Sequence, residues 1–413
     1  MNVTPESSTM SQEPFLRKLT LRNFRSIRNE AVTFANPLFL VGRNGSGKSN
    51  LVSALAFLSE CMTTPLQLVV EQWGGVGRIG HLHTPLASPH VNFHLDFQIG
   101  VDSRQGGVYA FALRVTEEGD FFVSYEHCSL TDDGVNPIWF NRTETDFRTN
   151  ISGIKPALSP RSLVMPVIGG VQELSAVYEA LSSMRLYQIR PELVGGIQEQ
   201  SGSPYLKPDG SNSNSVLLRL SKRDNGFVKR TPGSMSRVRD LLQSVVPGIS
   251  PGVPEFVRGQ SALFVEQNWS DSKVVLEAEA MSSGTLSALG LIVAALQEPA
   301  PSLTAIEEPE LNIYPGALDA IGDIINVAAQ RTQVVVTTHS PDLIDAKWIR
   351  ADNLRVVEWA NGETRISELG LAPVKALRQH LLGAGELMRA NALDAAPLSA
   401  TEDVSDLFEK DLA

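Results

Sequence analysis

Short, continuously apolar runs punctuate this chain and are joined by amphipathic stretches. Pro37-Leu38-Phe39-Leu40-Val41 has no polar position, the composition of a strand buried on both faces in a parallel sheet. Ser49 to Leu55 then opens an amphipathic helix. Two further buried strands are expected where Pro301–Ile306 runs into a pair of acids and where Val334-Val335-Val336 runs into a polar triplet. Leu286–Leu296 is an apolar helix. Period-two alternation marks Leu19 with Leu21, Val91–Phe97, Gly107–Val115 and Phe121–Glu126, the last three separated by turn residues at Asp102–Gly107 and Glu117–Asp120. Helices are predicted for Val171–Met184, 234–246 and 374–390, and a hairpin for Asn353–Ser367 around Asn361-Gly362. Gly195–Asn214 reads as an exposed loop. No sustained a/d repeat occurs, so the segment from about 73 to 281 is a compact lobe and not a coiled coil.

Chemistry enters where the first apolar strand ends. Gly42-Arg43-Asn44-Gly45-Ser46-Gly47-Lys48-Ser49 fits G-x-x-x-x-G-K-S and sits between a strand and a helix, the context that this motif requires. Gly42, Gly45 and Gly47 let the backbone turn its N–H groups toward a phosphate, and the helix N-terminus adds partial positive charge. Lys48 is expected to reach the β- and γ-phosphates and the Ser49 hydroxyl to ligate Mg²⁺, with Asn44, Ser46 and Asn50 completing the cradle for ATP.

A phosphate loop binds, and hydrolysis needs carboxylates. Glu307 and Glu308 follow the second apolar strand, where one acid faces the magnesium shell and the next polarises water. Glu307 is therefore assigned to the metal and Glu308 to the general base. After the third strand, Thr338-His339-Ser340 puts an imidazole where it can contact the γ-phosphate. Met281-Ser282-Ser283-Gly284-Thr285 precedes the apolar helix, and Ser282 with Gly284 forms a second anion-binding element at a helix N-terminus.

In these motifs the chain resembles the ABC-type, SMC-related ATPases of the AAA_21 group, whose members often occur in bacterial anti-phage and abortive-infection systems. The likeness runs through Leu19–Ile27, Gly42–Leu51, Asp209-Gly210-Ser211-Asn212, Ser282–Thr285, Glu307-Glu308-Pro309-Glu310, Thr338–Asp342 and Gly385-Glu386-Leu387. It implies an α/β fold: a P-loop ABC-type ATPase head with an antiparallel β side sheet and a compact, mainly helical inserted lobe. Residues 1–84 and 271–390 would be the two halves of the head, 85–270 the side sheet and lobe, and 391–413 an acidic tail. It further implies that Arg25 contacts the nucleotide, that Gln72 is the glutamine linking magnesium to the lobe, and that Ser282 and Gly284 close over ATP held by a second copy. The active unit would be a homodimer or higher homo-oligomer acting on a separately encoded effector, a nuclease by preference. Tyr314 stands where many members have histidine, and Arg43 where proline is frequent. Only about seventy residues follow His339, without a D-x-D pair, so a fused Toprim nuclease is not expected.

Composition narrows the picture further. A net charge of −11 argues against a broad nucleic-acid surface. DNA binding is then a secondary hypothesis, resting on Arg219, Lys222, Arg223, Lys229, Arg230, Arg237 and Arg239, and it would suit a repair or maintenance ATPase. Cys61 and Cys128 are expected to be buried and reduced, and His81, His83, His90 and His94 lack the paired spacing of a metal site. No apolar run reaches the roughly eighteen residues that span a bilayer, and the N-terminus has no signal-peptide form, so a cytoplasmic location is expected.

Overall fold

The computed structural model describes residues 15–81, 90–99, 105–116, 118–132, 137–224, 234–269 and 272–396. Its central sheet has six strands in the order β18-β17-β3-β16-β15-β9. These are β3 (Leu38–Val41), β9 (Arg185–Tyr187), β15 (Leu303–Glu307), β16 (Gln333–Thr338), β17 (Leu354–Ala360) and β18 (Glu363–Ser367). All neighbours are parallel except the β17–β18 hairpin. The hairpin turns at Asn361 and Gly362, both at positive φ, as an Asn-Gly pair favours. Every residue of β3 and β16 is buried, which explains why these strands read as continuous apolar runs.

Against the sheet lie α1 (Lys48–Thr63), α9 (Ser283–Leu296) and α10 (Leu318–Ala329). From Thr285 to Leu296 every residue of α9 is buried, so this helix is apolar all round instead of amphipathic. Two short helices, α2 (Leu66–Gln72) and α3 (Val76–Ile79), follow α1.

A second sheet, antiparallel throughout, runs β2-β1-β4-β5-β6-β7-β8. It comprises β1 (Leu16–Phe24), β2 (Ile27–Thr33), β4 (His90–Ile99), β5 (Gln105–Val115), β6 (Phe121–Asp132), β7 (Ile138–Thr143) and β8 (Phe147–Thr149). It packs on α1 through Phe24, Phe57 and Phe93, with Phe93 and Phe111 stacked at 4.8 Å. The lobe holds α4 (Met165–Ile168), α5 (Gln172–Ser182), α6 (Pro191–Gly195), α7 (Ser213–Asp224) and α8 (Ser234–Val245). Its strands are β10 (Gln198–Glu199) with β12 (Gln260–Ser261), and β11 (Ile249–Pro251), β13 (Phe264–Trp269) and β14 (Ser272–Glu277). Beyond β16 lie α11 (Pro341–Ile344), α12 (Leu371–Arg378) and α13 (Ala384–Arg389).

Several expectations need amendment. The boundary at residue 84 does not follow the sheets: β1 and β2 belong to the side sheet, while β9, from within the insert, joins the central one. Residues 374–390 form two helices instead of one, broken at His380 (φ 52) and Gly383. The stretch 195–214 is only partly exposed, because Gln198, Asn212, Ser213 and Asn214 are buried. The Asn212 amide takes the N–H of Lys207 and donates to the carbonyl of Tyr205, closing this loop internally. At the C-terminal end, Leu393 and Ala395 pack on the head instead of starting a separate tail. His83, Lys229, Arg230 and 401–413 lie outside the described residues.

Candidate functional site

The phosphate loop is shaped by the hairpin beside it. A Cβ on Gly42 would lie 2.2 Å from the carbonyl oxygen of Val357, and one on Gly47 would lie 1.9 Å from Thr364 Oγ1. Gly47 also has φ 101, a conformation that side chains rarely adopt. Buried Thr364 donates to the carbonyl of Ser46 at 3.1 Å and meets Ser26 Oγ at 2.6 Å, and Asn50 also bonds to Ser26. Thr364 and Ser26 thus brace the loop from behind. Neither was legible as a site residue, since no motif marks a threonine in a hairpin.

Lys48 opens α1, a helix of 16 residues with no acid in its first turn to oppose an incoming anion. Its Nζ donates to the carbonyls of Gly42 at 2.8 Å and Arg43 at 3.1 Å, holding the ammonium across the loop mouth. Burial pulls the ammonium below its ordinary value, and the carboxylates of Glu308 and Glu310 act in the opposite sense. Ser49 is exposed in the same turn.

Glu307 is the last residue of β15, which pairs in parallel with β16. Glu308 then turns into the left-handed region at φ 44, held by its N–H to the carbonyl of Thr337 at 3.0 Å. A non-glycine residue there costs about 1–3 kcal/mol, and such strain gathers at functional sites. His339 follows β16, its Nδ1 lying 3.6 Å from Glu308 Oε1 and 3.5 Å from Glu310 Oε1. Glu310, to which the sequence reading gave no role, accepts from Thr338 Oγ1 at 2.7 Å and from the N–H of His339 at 3.0 Å. Three segments distant in sequence therefore meet at one place.

Ser282 caps α9 by accepting from the N–H of Thr285 at 3.2 Å, and its side chain is otherwise exposed. Gly284 has a second reason to be glycine. A Cβ there would lie 2.6 Å from the carbonyl oxygen of Asn312, in the loop that carries the acids.

Arg25, at φ 50, donates to Ser53 Oγ at 2.8 Å and lies over the Trp73 ring at 4.9 Å. Burial lowers its guanidinium and Glu307 opposes that, so it stands beside the site on the α1 side. Gln72 ends α2 with an exposed side chain, and no hydrogen bond joins it to Ser49 or Glu307. Of the basic residues, Arg219 is tied to the carbonyl of Pro204 at 2.9 Å, whereas Lys222, Arg237 and Arg239 are exposed. Both cysteines are free and buried, and no His/Cys/Asp/Glu group among the described residues could hold a metal in the manner of a zinc site.

The residues at the loop fit ATP and Mg²⁺. Ser46 Oγ and Glu307 Oε1 are buried without a hydrogen-bond partner, an unusual condition for polar atoms that a phosphate and a hard cation would relieve. A cavity of about 900 Å³ adjoins the loop, lined among others by Arg43, Asn44, His339, Trp359 and Asn391. No helix among the described residues is long and apolar enough to cross a membrane.

Known proteins share sequence and fold features with this chain. Residues 15–71, which contain the phosphate loop, match the family described as "AAA ATPase domain". Residues 174–345, which contain the acids and the histidine, match "AAA domain, putative AbiEii toxin, Type IV TA system". No curated protein matches the chain. Among solved structures, an SmcHead bound to the C-winged helix domain of ScpA is 15% identical, covers 88% of this chain and 99% of its own, and has a TM-score of 0.52. The Smc head with an extended coiled coil, bound to the C-terminal domain of ScpA from Pyrococcus furiosus, gives 12%, 89%, 99% and 0.52. The Pyrococcus yayanosii Smc head with a coiled coil and joint gives 11%, 89%, 100% and 0.50. At these identities the likeness speaks to fold alone. The chain thus carries matches to two AAA-type ATPase domain families, AAA_21 among them, on a fold similar to that of the ABC-type Smc heads.

Proposed function

We propose that the protein is a Mg²⁺-dependent ATPase whose copies close head to tail around two ATP molecules. In this reading it acts as the regulatory ATPase of a bacterial anti-phage complex, controlling a separately encoded effector, with a nuclease as the candidate. The observation that carries the ATPase reading is the convergence of Lys48, Glu308 and His339 at the end of three strands.

Lys48 would exchange its two loop carbonyls for phosphate oxygens, a swap that its present bonds make local. Ser49 and Glu307 would hold Mg²⁺, which supplies Lewis-acid stabilisation of the phosphates when bound. Glu308 is the general base, and His339 is within reach of the same reacting centre. The exposure of Ser282 at the start of α9 supports a role toward a second copy. The description of the matched family, a toxin of a toxin–antitoxin system, supports a place in defence. The ScpA domains bound to similar heads support a protein partner.

The test is the mass of the Glu308→Gln protein by light scattering, with and without Mg-ATP, beside phosphate release by the wild type. The variant is expected to hold ATP and shift to twice the monomer mass, with turnover slowed roughly 10²–10⁴-fold. A Glu308→Gln protein that stays monomeric with ATP bound overturns the sandwich, and unchanged turnover overturns the assignment of the base.

A further inference from the structure

We propose that Glu310 is the positioning residue of this site: it fixes the ring of His339 with the Nδ1 proton turned toward the carboxylates and Nε2 turned away from them. The proposal deepens the ATPase reading. It stands on the geometry of one carboxylate. Glu310 is 8% exposed, and its Oε1 takes two donors from the corner after β16, the Thr338 hydroxyl and the His339 N–H. The backbone that carries the imidazole is therefore tied to the loop that carries the catalytic acids.

The ring itself faces the same atom. His339 Nδ1 is buried without a hydrogen bond, 3.5 Å from Glu310 Oε1, and Glu310 Oε2 is likewise buried and unpartnered. A buried carboxylate with an unused oxygen is costly to keep, and an imidazole nitrogen facing two carboxylates is stabilised only when it bears a proton. Bonds of this kind are often long before substrate binds and shorten in the loaded enzyme. Glu308 lies at a similar distance, 3.6 Å from Nδ1, but it is 33% exposed and is the base in this reading, so it cannot hold the ring while it takes a proton from water. Glu310, buried and anchored twice, can. With Nδ1 committed, Nε2 is the atom left for a phosphate oxygen or the attacking water.

The experiment reads the tautomer directly, on nucleotide-free full-length protein. Histidine-labelled samples are examined by two-bond nitrogen–proton correlation at a pH where the ring is neutral, with His339→Gln identifying the signal. The wild type is expected to show the Nδ1–H tautomer, Glu310→Gln to move His339 to Nε2–H, and Glu308→Gln to leave it unchanged. Kinetically, Glu310→Gln is expected to lower kcat roughly tenfold at constant KM, the loss of one charge-assisted hydrogen bond. Glu310→Asp, which keeps the charge, should recover part of both signals. A wild-type ring in the Nε2–H form overturns the proposal without any variant. So does a tautomer that ignores Glu310→Gln, or that answers equally to Glu308→Gln. Failure of the ATPase reading would appear separately, as absent phosphate release by the wild type with the spectra as expected.

Discussion

Replacing Gly284 by alanine tests whether the element at the start of α9 is coupled to the acids within one chain. The new Cβ would sit 2.6 Å from the Asn312 carbonyl oxygen, a backbone atom that cannot rotate away. The contact must open to at least about 3.2 Å, so either the N-terminus of α9 or the loop moves by about 0.6 Å. The loop is poorly placed to yield, because Leu311 donates to the carbonyl of Glu308 at 3.0 Å and Ile313 to that of Glu310 at 3.1 Å. Overpacking of this kind costs about 1–3 kcal/mol. Spread over the unfolding entropy of a chain of 413 residues, that is a fall in Tm of about 1–3 °C. If Glu307 and Glu308 act as proposed, the effect on turnover is expected to be larger, up to about 10²-fold for a shift approaching an ångström at these carboxylates. Thermal unfolding and phosphate release, measured on the same preparation with tight ATP binding as the control, read both quantities. A variant with wild-type Tm and wild-type turnover would refute the coupling, since the close approach would then cost nothing.

Three other expectations are direct. Lys48→Ala should abolish ATP binding by calorimetry, and retained tight binding would remove the phosphate-loop assignment. Ser282→Arg should prevent ATP-dependent dimerisation in light scattering while each monomer still binds ATP, because the side chain is exposed and its cap contributes only about 1 kcal/mol. Glu126, buried in β6, accepts N–H bonds from Val164 and Met165 and the Tyr109 hydroxyl at 3.0 Å. Burial raises its pKa above the unfolded value despite these bonds. The folded state therefore binds this proton more tightly, and its contribution to stability is full below the unfolded carboxylate value and lost as pH rises through the folded one. Urea midpoints across that range should slope downward for the wild type and lose that component in Glu126→Gln; identical slopes would count against it.

Much of this protein is written locally. The run Pro37–Val41, the glycines of the phosphate loop, the acids after β15 and the histidine after β16 each follow from short-range chemistry: burial on both faces, positive φ, and strand ends that face one edge of a parallel sheet. The Asn361-Gly362 turn is equally local. Other features depend on neighbours far away in sequence. That β1 pairs with β4 in the side sheet while β9 crosses into the central one is decided by which apolar faces find partners, and alternation alone carries no address. The stretch 374–390 is interrupted where His380 takes a left-handed φ of 52, and α13 then docks closely on α11, with Gly385 so near the Pro341 carbonyl that a Cβ would lie 2.2 Å from it.

The site divides in the same way. Sequence alone pointed to the groups suited to phosphate chemistry, because loop geometry and the charge of such a ligand call for their types and spacing. It could not show that Thr364 braces Gly47, that Gly284 lies against the Asn312 carbonyl, or that Glu310 ties the acids to the histidine. Each of these is a contact between segments separated by tens to hundreds of positions, and only packing of the strands side by side brings them within a few ångströms.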